Sequence, residues 1–507
     1  MKLISVIPFL ALLLLAGCVS PGDETSLEGT RPNIILVITD DQGMGDLSCL
    51  GNTILETPHL DRLYARSTRF TDFHVSSTCS PTRAALMSGR HPFDVGVTHT
   101  VYQRERLAPA VITLPETLKT AGYATGLFGK WHLGDEEAYL PQNRGFDEVL
   151  MHGAGGIGQY RWGDFKANSE NRYFDNTLLH NDTVVKTKGY CTDIFFDAAL
   201  AWIKKQNETG QPFFAYISTN APHNPLIAPE SDKKRFLELG FAERTAARFG
   251  MIENIDDNIG KLMDALEANG MRENTLVIFM TDNGANSGRL RYQNGEPKPS
   301  FNAGMRGRKA SSYEGGTRVP SFWSLPGRIS AGVDIDTLTN HYDVYTTLAE
   351  FAGTEVPEGP LQPNGLSMIP LLENSKATWP ERTRFVHRGR WGFEPASGQM
   401  SREDARYVSA AVRTERWRLV FDLVDGEPTA HLADIQNDPG ERTNLAEQHP
   451  EVVKELKQAF DEWWETTESY LVNEGLPHIP SEKQPFPMRY QKQLKAEGIP
   501  LWEPIEI

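Results

Sequence analysis

Asn33-Ile34-Ile35-Leu36-Val37-Ile38-Thr39, running straight into Asp40-Asp41, is an unbroken apolar stretch bounded by Pro32 and by two acids. A run of that length without polar alternation is what a strand buried on both faces requires. It does not stand alone. Phe213 to Thr219 (FFAYIST) runs into Asn220-Ala221-Pro222-His223, Thr275 to Thr281 (TLVIFMT) into Asp282-Asn283, and a strand over Tyr123 to Gly129 into Lys130-Trp131-His132. Amphipathic helical patterns separate these runs. Thr57-Pro58 signals a helix start ahead of Leu60, Leu63 and Tyr64, and Leu114 to Gly122 reads as a short helix. Ile252, Ile255, Ile259, Leu262 and Leu266 recur at helical spacing before Gly270. Alternation of this kind predicts an α/β fold with a large, mostly parallel sheet sandwiched by helices. In such sheets the carboxyl ends of the strands are where ligands bind. Any one polar cluster is an ordinary helix cap; four together predict a site.

Beyond about residue 375 the texture changes. Val408 to Val412 and Trp417 to Leu423 read as strands, and Pro450 begins a helix with Val452, Val453, Leu456, Phe460 and Trp463 on one face. We therefore divide the chain into a catalytic domain, 31–375, and a smaller C-terminal α+β subdomain, 376–507, with an antiparallel sheet. The proline-rich stretch Leu476 to Ile507 is expected to wrap the surface.

The N-terminus differs from both. Met1-Lys2 precedes a mostly apolar run from Leu3 to Leu15, too short for a membrane span and suited to an export signal. Leu15-Ala16-Gly17-Cys18 resembles the lipobox of bacterial lipoprotein signals. That resemblance implies a signal peptide over 1–18, a lipid on Cys18 that holds the protein to a membrane, and a tether over 19–30. The expected location is the bacterial cell envelope, in the periplasm or on the surface. Cys18, Cys49, Cys79 and Cys191 are the only cysteines, too few for a disulfide scaffold. Cys49 and Cys191 either pair or stay free.

With 51 basic and 67 acidic residues the net charge is −16, which argues against a nucleic-acid partner. An anionic substrate would have to be drawn in by local positive charge. Asp40, Asp41, Asp282 and Asn283 offer only oxygen ligands, the choice of hard cations such as calcium and magnesium; zinc would ask for His or Cys. Each dipeptide alone reads as a cap or Asx-turn. As a set they predict a metal site. In Cys79-Ser80-Pro81-Thr82-Arg83-Ala84-Ala85-Leu86-Met87-Ser88-Gly89-Arg90, Pro81 suits a first helical turn, so Cys79 is expected at the positive end of a helix. Arg83 would lie one turn on, placed to reach back and hold an anion at that end or metal-bound oxygens.

The Cys-x-Pro-x-Arg core followed by Ser-Gly-Arg resembles the signature of type I sulfatases, in the alkaline phosphatase superfamily. The resemblance runs along most of the chain. It implies an alkaline-phosphatase-like fold and oxidation of Cys79 to formylglycine by a separate enzyme, formylglycine-generating or anaerobic sulfatase-maturating. The family usually has Ser where this chain has Thr82, a mild departure. Asp40, Asp41, Asp282 and Asn283 match the metal ligands, shared with position 79, and one calcium ion per chain is expected. Arg83, Lys130, His132, His223 and Lys309 match the remaining catalytic positions. Lys130 and His132 stand in Gly-Lys-Trp-His-Leu-Gly, and Lys309 stands upstream of Tyr313-Glu314-Gly315-Gly316-Thr317-Arg318. The resemblance implies attack on sulfur by a hydroxyl of the hydrated aldehyde, protonation of the leaving alcohol by His223, and release of sulfate with His132 as base. The expected substrate is a sulfated glycan or an aryl sulfate ester. Two other readings remain: a phosphomonoester or phosphonate monoester hydrolase, and an inactive surface lipoprotein that binds glycans.

Specificity is less legible. The glycine-dense segment His152 to Gln159 lacks the spacing of a dinucleotide fingerprint. It is either a surface loop or, with His99, Tyr102 and Arg104, the mouth of the pocket. Trp391, in Arg388-Gly389-Arg390-Trp391, either stacks on a sugar or makes ordinary domain contacts.

Overall fold

The computed structural model describes residues 26–165, 172–392, 400–424 and 427–503. Cys18 and the expected signal peptide over 1–18 lie outside the described residues. Ten strands form the main sheet. In chain order they are β1 (Asn33–Thr39), β2 (Thr68–Phe70), β3 (Ala124–Gly129), β4 (Glu148–Met151), β5 (Thr177–His180), β6 (Thr183–Lys186), β7 (Phe213–Ser218), β8 (Thr275–Thr281), β9 (Ser321–Ser324) and β10 (Val333–Ile335). Across the sheet the order is β10-β2-β9-β8-β1-β7-β3-β4-β5-β6. The strands β8, β1, β7, β3 and β4 pair in parallel; antiparallel pairs occur only toward the two edges. The predicted fold class stands.

Why the central strands read as continuous apolar runs is visible in their two faces. Ile34, Leu36 and Ile38 of β1 join one core, with Leu276 and Ile278 of β8 and Phe214 and Tyr216 of β7. Ile35 and Val37 join the other, with Val277, Phe279, Ala215 and Ile217. Neither face meets water, so alternate positions are equally apolar. The first core is closed by α2 (Cys79–Ser88), α3 (Leu114–Thr120) and α6 (Asp343–Phe351), the second by α1 (Pro58–Ala65), α4 (Cys191–Thr209) and α5 (Glu243–Ala268). Thr113 caps α3 in a reciprocal box with Glu116. Ile252, Ile255, Ile259, Leu262 and Leu266 of α5 are all buried.

A four-stranded antiparallel sheet makes the smaller subdomain: β11 (Arg384–His387), β12 (Ala410–Arg413), β13 (Trp417–Val424) and β14 (Glu427–Asp434). Strand β12 starts later than expected because Ser409 takes a left-handed φ of 52°. Against the sheet packs α7 (Pro450–Thr467), which buries Leu456, Phe460 and Trp464.

Two expectations change and one open alternative is settled. The tail beyond Leu476 is not only a surface wrap: α8 (Pro485–Ala496) inserts Phe486 and Tyr490 into the main core. Its prolines sit in the first turn, where a missing N–H costs no hydrogen bond. Within the stretch read as a tether, Leu27 is 2% exposed and its N–H donates to Glu373 Oε1 at 2.7 Å, so residues 26–30 lie on the body. Cys49 and Cys191 are both free thiols.

Candidate active site

Strand ends β1 and β8 lie side by side, with Ile38 opposite Met280 and Thr39 opposite Thr281. The next residues are locked together: the Asp282 N–H donates to Thr39 O at 3.0 Å and the Asp41 N–H to Asp282 Oδ1 at 3.1 Å. Gly284 sits where any Cβ would meet the Gly315 carbonyl at 1.9 Å, so the chain must turn there without a side chain. The register thus brings both acidic dipeptides to one spot. Helix α2 begins beside them. Ligand atoms of Asp40, Asp41, Cys79 and Asp282 all lie within 4.8 Å of one another.

Cations surround this cluster. Lys130 Nζ donates to Asp40 Oδ2 at 2.6 Å, and Lys309 Nζ reaches Asp41 Oδ1 at 2.5 Å and Cys79 Sγ at 3.3 Å. Arg83 takes the second of the two roles expected of it and holds an oxygen of this cluster. Its buried guanidinium donates to Asp282 Oδ2 at 2.9 Å, to the Lys130 carbonyl at 3.2 Å and to Ser218 Oγ. It does not line the cavity, and it therefore positions Asp282.

The carboxylates of the cluster differ in their electrostatics. Burial and the Asp40 carboxylate push Asp282 upward. Burial also works on Asp41, yet Lys309 and His223 hold it well below the usual carboxylate range. Asp40 Oδ1 and Asn283 Oδ1 are buried without a hydrogen-bond partner. Orphaned oxygens beside crowded carboxylates are the donor set of a hard cation, and the residues present fit one. Burial, only partly offset by Lys130 and Lys309, raises the Cys79 thiol to about 12. As a plain thiol it is a poor nucleophile at neutral pH.

Two histidines have defined tautomers. His132 Nε2 faces Thr100 O at 2.7 Å and must donate to it, leaving Nδ1 as a buried lone pair with no partner. His223 Nδ1 likewise donates to Asn224 O at 2.7 Å, so Nε2 is the working nitrogen, 3.9 Å from Asp41 Oδ2. Burial, then Lys309 and Lys130 against the opposing pull of Asp41, takes His223 down to about 3.

A cavity of about 270 Å³ opens over Cys79 and is lined by His99, Thr100, Val101, His132, Gly155, Gln159, Trp162, His223, Lys309 and Arg390. The glycine-dense loop does form part of its wall: a Cβ on Gly155 would come within 2.4 Å of the His132 ring. His99 Nδ1 accepts the N–H groups of Thr100 and Val101 at 2.8 and 3.1 Å, which leaves its proton on Nε2. Arg104 is not at the mouth. It is buried, paired with Glu474 at 2.8 Å and stacked 4.7 Å from the Trp391 ring. Trp391 itself is only 6% exposed, packed against Phe93, His387 and Trp464, so it is a domain contact and no sugar platform. Sequence reasoning passed over Asn286, whose Nδ2 donates to Asp41 Oδ2 at 2.9 Å, and also Trp162 and Arg390. Only Asn286 had a signal, its place three residues after Asn283.

A family model described as Sulfatase matches residues 32–354, and one for the C-terminal region of N-sulphoglucosamine sulphohydrolase matches residues 308–466. The N-acetylgalactosamine-6-sulfatase of Homo sapiens is 32% identical over 451 residues, 82% of this chain and 81% of that one. Arylsulfatase A of Homo sapiens is 32% identical over 84% of this chain and 86% of its own. The N-acetylgalactosamine-6-O-sulfatase of Bacteroides thetaiotaomicron is 28% identical over 91% of this chain and 98% of its own. The crystal structure of Ps i-CgsB superposes with a TM-score of 0.75 at 27% identity, over 92% of this chain and 98% of that one.

Proposed function

The chain belongs to the sulfatase family and hydrolyses sulfate esters, and from that premise we propose that its substrate is a sulfated sugar, that Cys79 acts as formylglycine and that the cation is one calcium ion. One observation carries the site assignment: the ligand atoms of Asp40, Asp41, Cys79 and Asp282 converge within 4.8 Å, beneath Lys130 and Lys309. Asn283 Oδ1 completes the donor set. With formylglycine at position 79 the set is all oxygen, which suits a hard cation such as calcium.

Once bound and matured, these groups supply an aldehyde hydrate as nucleophile and a positive charge against the sulfuryl oxygens. The side chains do the rest. Lys309 Nζ, 3.3 Å from Cys79 Sγ, is placed to neutralise charge on the transferring group, and Lys130 keeps Asp40 oriented. His223 lines the cavity with Nε2 available to protonate the leaving oxygen. Its low pKa rises once an anionic ester lies beside it and offsets Lys309 and Lys130. His132, neutral and with Nδ1 open, is placed to take a proton during sulfate release. Arg83 holds Asp282 and touches nothing that reacts.

The relatives named for N-acetylgalactosamine 6-sulfate make that sugar the first substrate to test. Sulfate release from it and from 4-nitrophenyl sulfate should exceed phosphate release from 4-nitrophenyl phosphate. Peptide mass spectrometry should find formylglycine at position 79. An intact thiol together with no sulfate release would overturn the reading, and a preference for phosphate esters would favour a phosphoester hydrolase. We further propose export and membrane attachment through a lipid on Cys18, supported by the Leu15-Ala16-Gly17-Cys18 motif, with maturation by a separate oxidising enzyme. Labelling with a fatty-acid analogue, lost in Cys18→Ser, tests the anchor.

A further inference from the structure

Resting on the sulfatase reading above, we propose that Tyr102, Trp162 and His478 form a platform for the sugar ring next to the sulfated one, so that the preferred substrate is an oligosaccharide. The three rings meet edge to face. Tyr102 lies 4.9 Å from Trp162 and 5.4 Å from His478, and Trp162 lies 5.9 Å from His478. They come from three distant segments: the loop after α2, the turn Tyr160–Trp162 behind the glycine-dense loop, and the tail after α7.

Core packing does not account for them, because neither Tyr102 nor Trp162 belongs to a hydrophobic core and His478 is exposed. The cluster is continuous with the catalytic cavity. Trp162 lines the same space as Cys79, and Tyr102 also meets the ring of His99 at 5.5 Å. The supports are firm. Asn473 Nδ2 donates to both Gly96 O and Arg106 O at 2.8 Å, tying the tail to the Tyr102 loop. Phe486 of α8 packs 4.9 Å from Phe165, just past the Trp162 turn. Tyr102 and Trp162 are half-buried and His478 is exposed, so the cluster shows aromatic surface at the mouth of the pocket, as a binding site would. A pyranose offers an apolar C–H face to such rings. The Arg161 guanidinium, 4.7 Å from the Trp162 ring, adds a positive charge that suits an anionic sugar chain. Binding energy from a ring remote from the sulfate can be used at the reacting centre, so it appears in kcat/KM.

The test measures sulfate release from matched pairs: a sulfated monosaccharide and a tetrasaccharide ending in the same residue, N-acetylgalactosamine 6-sulfate first. The wild type should favour the tetrasaccharide by roughly tenfold in kcat/KM, and Trp162→Ala and His478→Ala should each lose roughly tenfold more on the tetrasaccharide than on the monosaccharide. Thermal unfolding of both variants separates this from misfolding, and His478, being exposed, is the safer of the two. Equal kcat/KM on both members of every pair, or equal losses in folded variants, overturns the inference alone. Release from 4-nitrophenyl sulfate but from no sugar overturns it and leaves the sulfatase reading standing. Release from no ester at all overturns both.

Discussion

Thr82 Oγ1 donates to the Asp282 carbonyl at 2.7 Å, so the residue three places after Cys79 pins the helix that begins at Cys79 to the strand end that carries Asp282 and Asn283. The bond needs a hydroxyl and tolerates an extra methyl, which is why Thr serves where the family usually has Ser. Thr82→Ser should keep kcat/KM within roughly threefold, whereas Thr82→Val, equal in shape, should cost about 1–3 kcal/mol because a buried carbonyl loses its partner. Urea unfolding of the two variants checks the difference. Equal stability would show that the hydroxyl is idle.

Asn286 stands one step back from the proposed calcium site. Its Nδ2 holds Asp41 Oδ2 at 2.9 Å while Asn283 Nδ2 and Lys309 share Oδ1. Asn286→Ala frees one oxygen of that carboxylate to rotate. Calcium affinity should fall by roughly 10- to 100-fold. Titrating calcium back into the chelator-treated protein, with sulfate release as readout, measures it; an unchanged half-point would remove Asn286 from the site.

Much of this was legible because the site is built at strand ends. A strand buried on both faces is an unbroken apolar run, so its end, and the acids after it, stand out at Asp40 and at Asp282. Lys130 and His223 follow strands of the same kind. What the residues do at those places was harder to read. Arg83 is on the right helix, but only the fold shows that its guanidinium faces Asp282 and Ser218 and not the cavity. Trp391 and Trp162 look alike in sequence, each beside arginine and near glycine. One is buried by the aromatic packing of α7, the other is left at the mouth because the tail returns next to it. That return was missed because a helix opening on Pro-Phe-Pro reads as irregular chain.

Asp256 gives a pH signature independent of catalysis. It accepts the N–H groups of His59 and Leu60 at 3.1 and 2.7 Å, at the first turn of α1. Burial outweighs those bonds and raises its carboxyl from 3.8 to about 7. The folded protein therefore keeps a proton that the unfolded chain releases, and stability falls as pH rises across that window, then levels above it. Asp256→Asn should flatten the slope by an amount on the order of 1 kcal/mol or more. Urea midpoints of wild type and variant at pH 5 and pH 8 decide it; parallel shifts in both would mean that Asp256 does not titrate in this range.

The two domains are joined by buried charge, and the joint reaches the active site. Glu314 Oε1 accepts Arg418 at 2.7 Å and Arg413 at 3.2 Å, both from the C-terminal sheet, while Arg413 also holds Asp72 at 3.0 Å. Glu314 stands five residues after Lys309, and its N–H donates to Glu441 Oε2 at 2.7 Å. Arg418→Met leaves Glu314 and Glu441 facing each other with one cation fewer. Breaking such a pair should cost about 3–5 kcal/mol, far more than a surface bridge. Because the Lys309 loop loses its anchor, kcat should fall while the protein is still folded. Arg418→Met combined with Glu314→Gln and Glu441→Gln removes the uncompensated charge and should recover part of the stability, but less of the activity, since the loop stays loose. Denaturant unfolding alongside sulfate release at low temperature separates the two effects. If the triple variant regains both in equal measure, the network serves stability alone and has no part in holding Lys309 against Asp41.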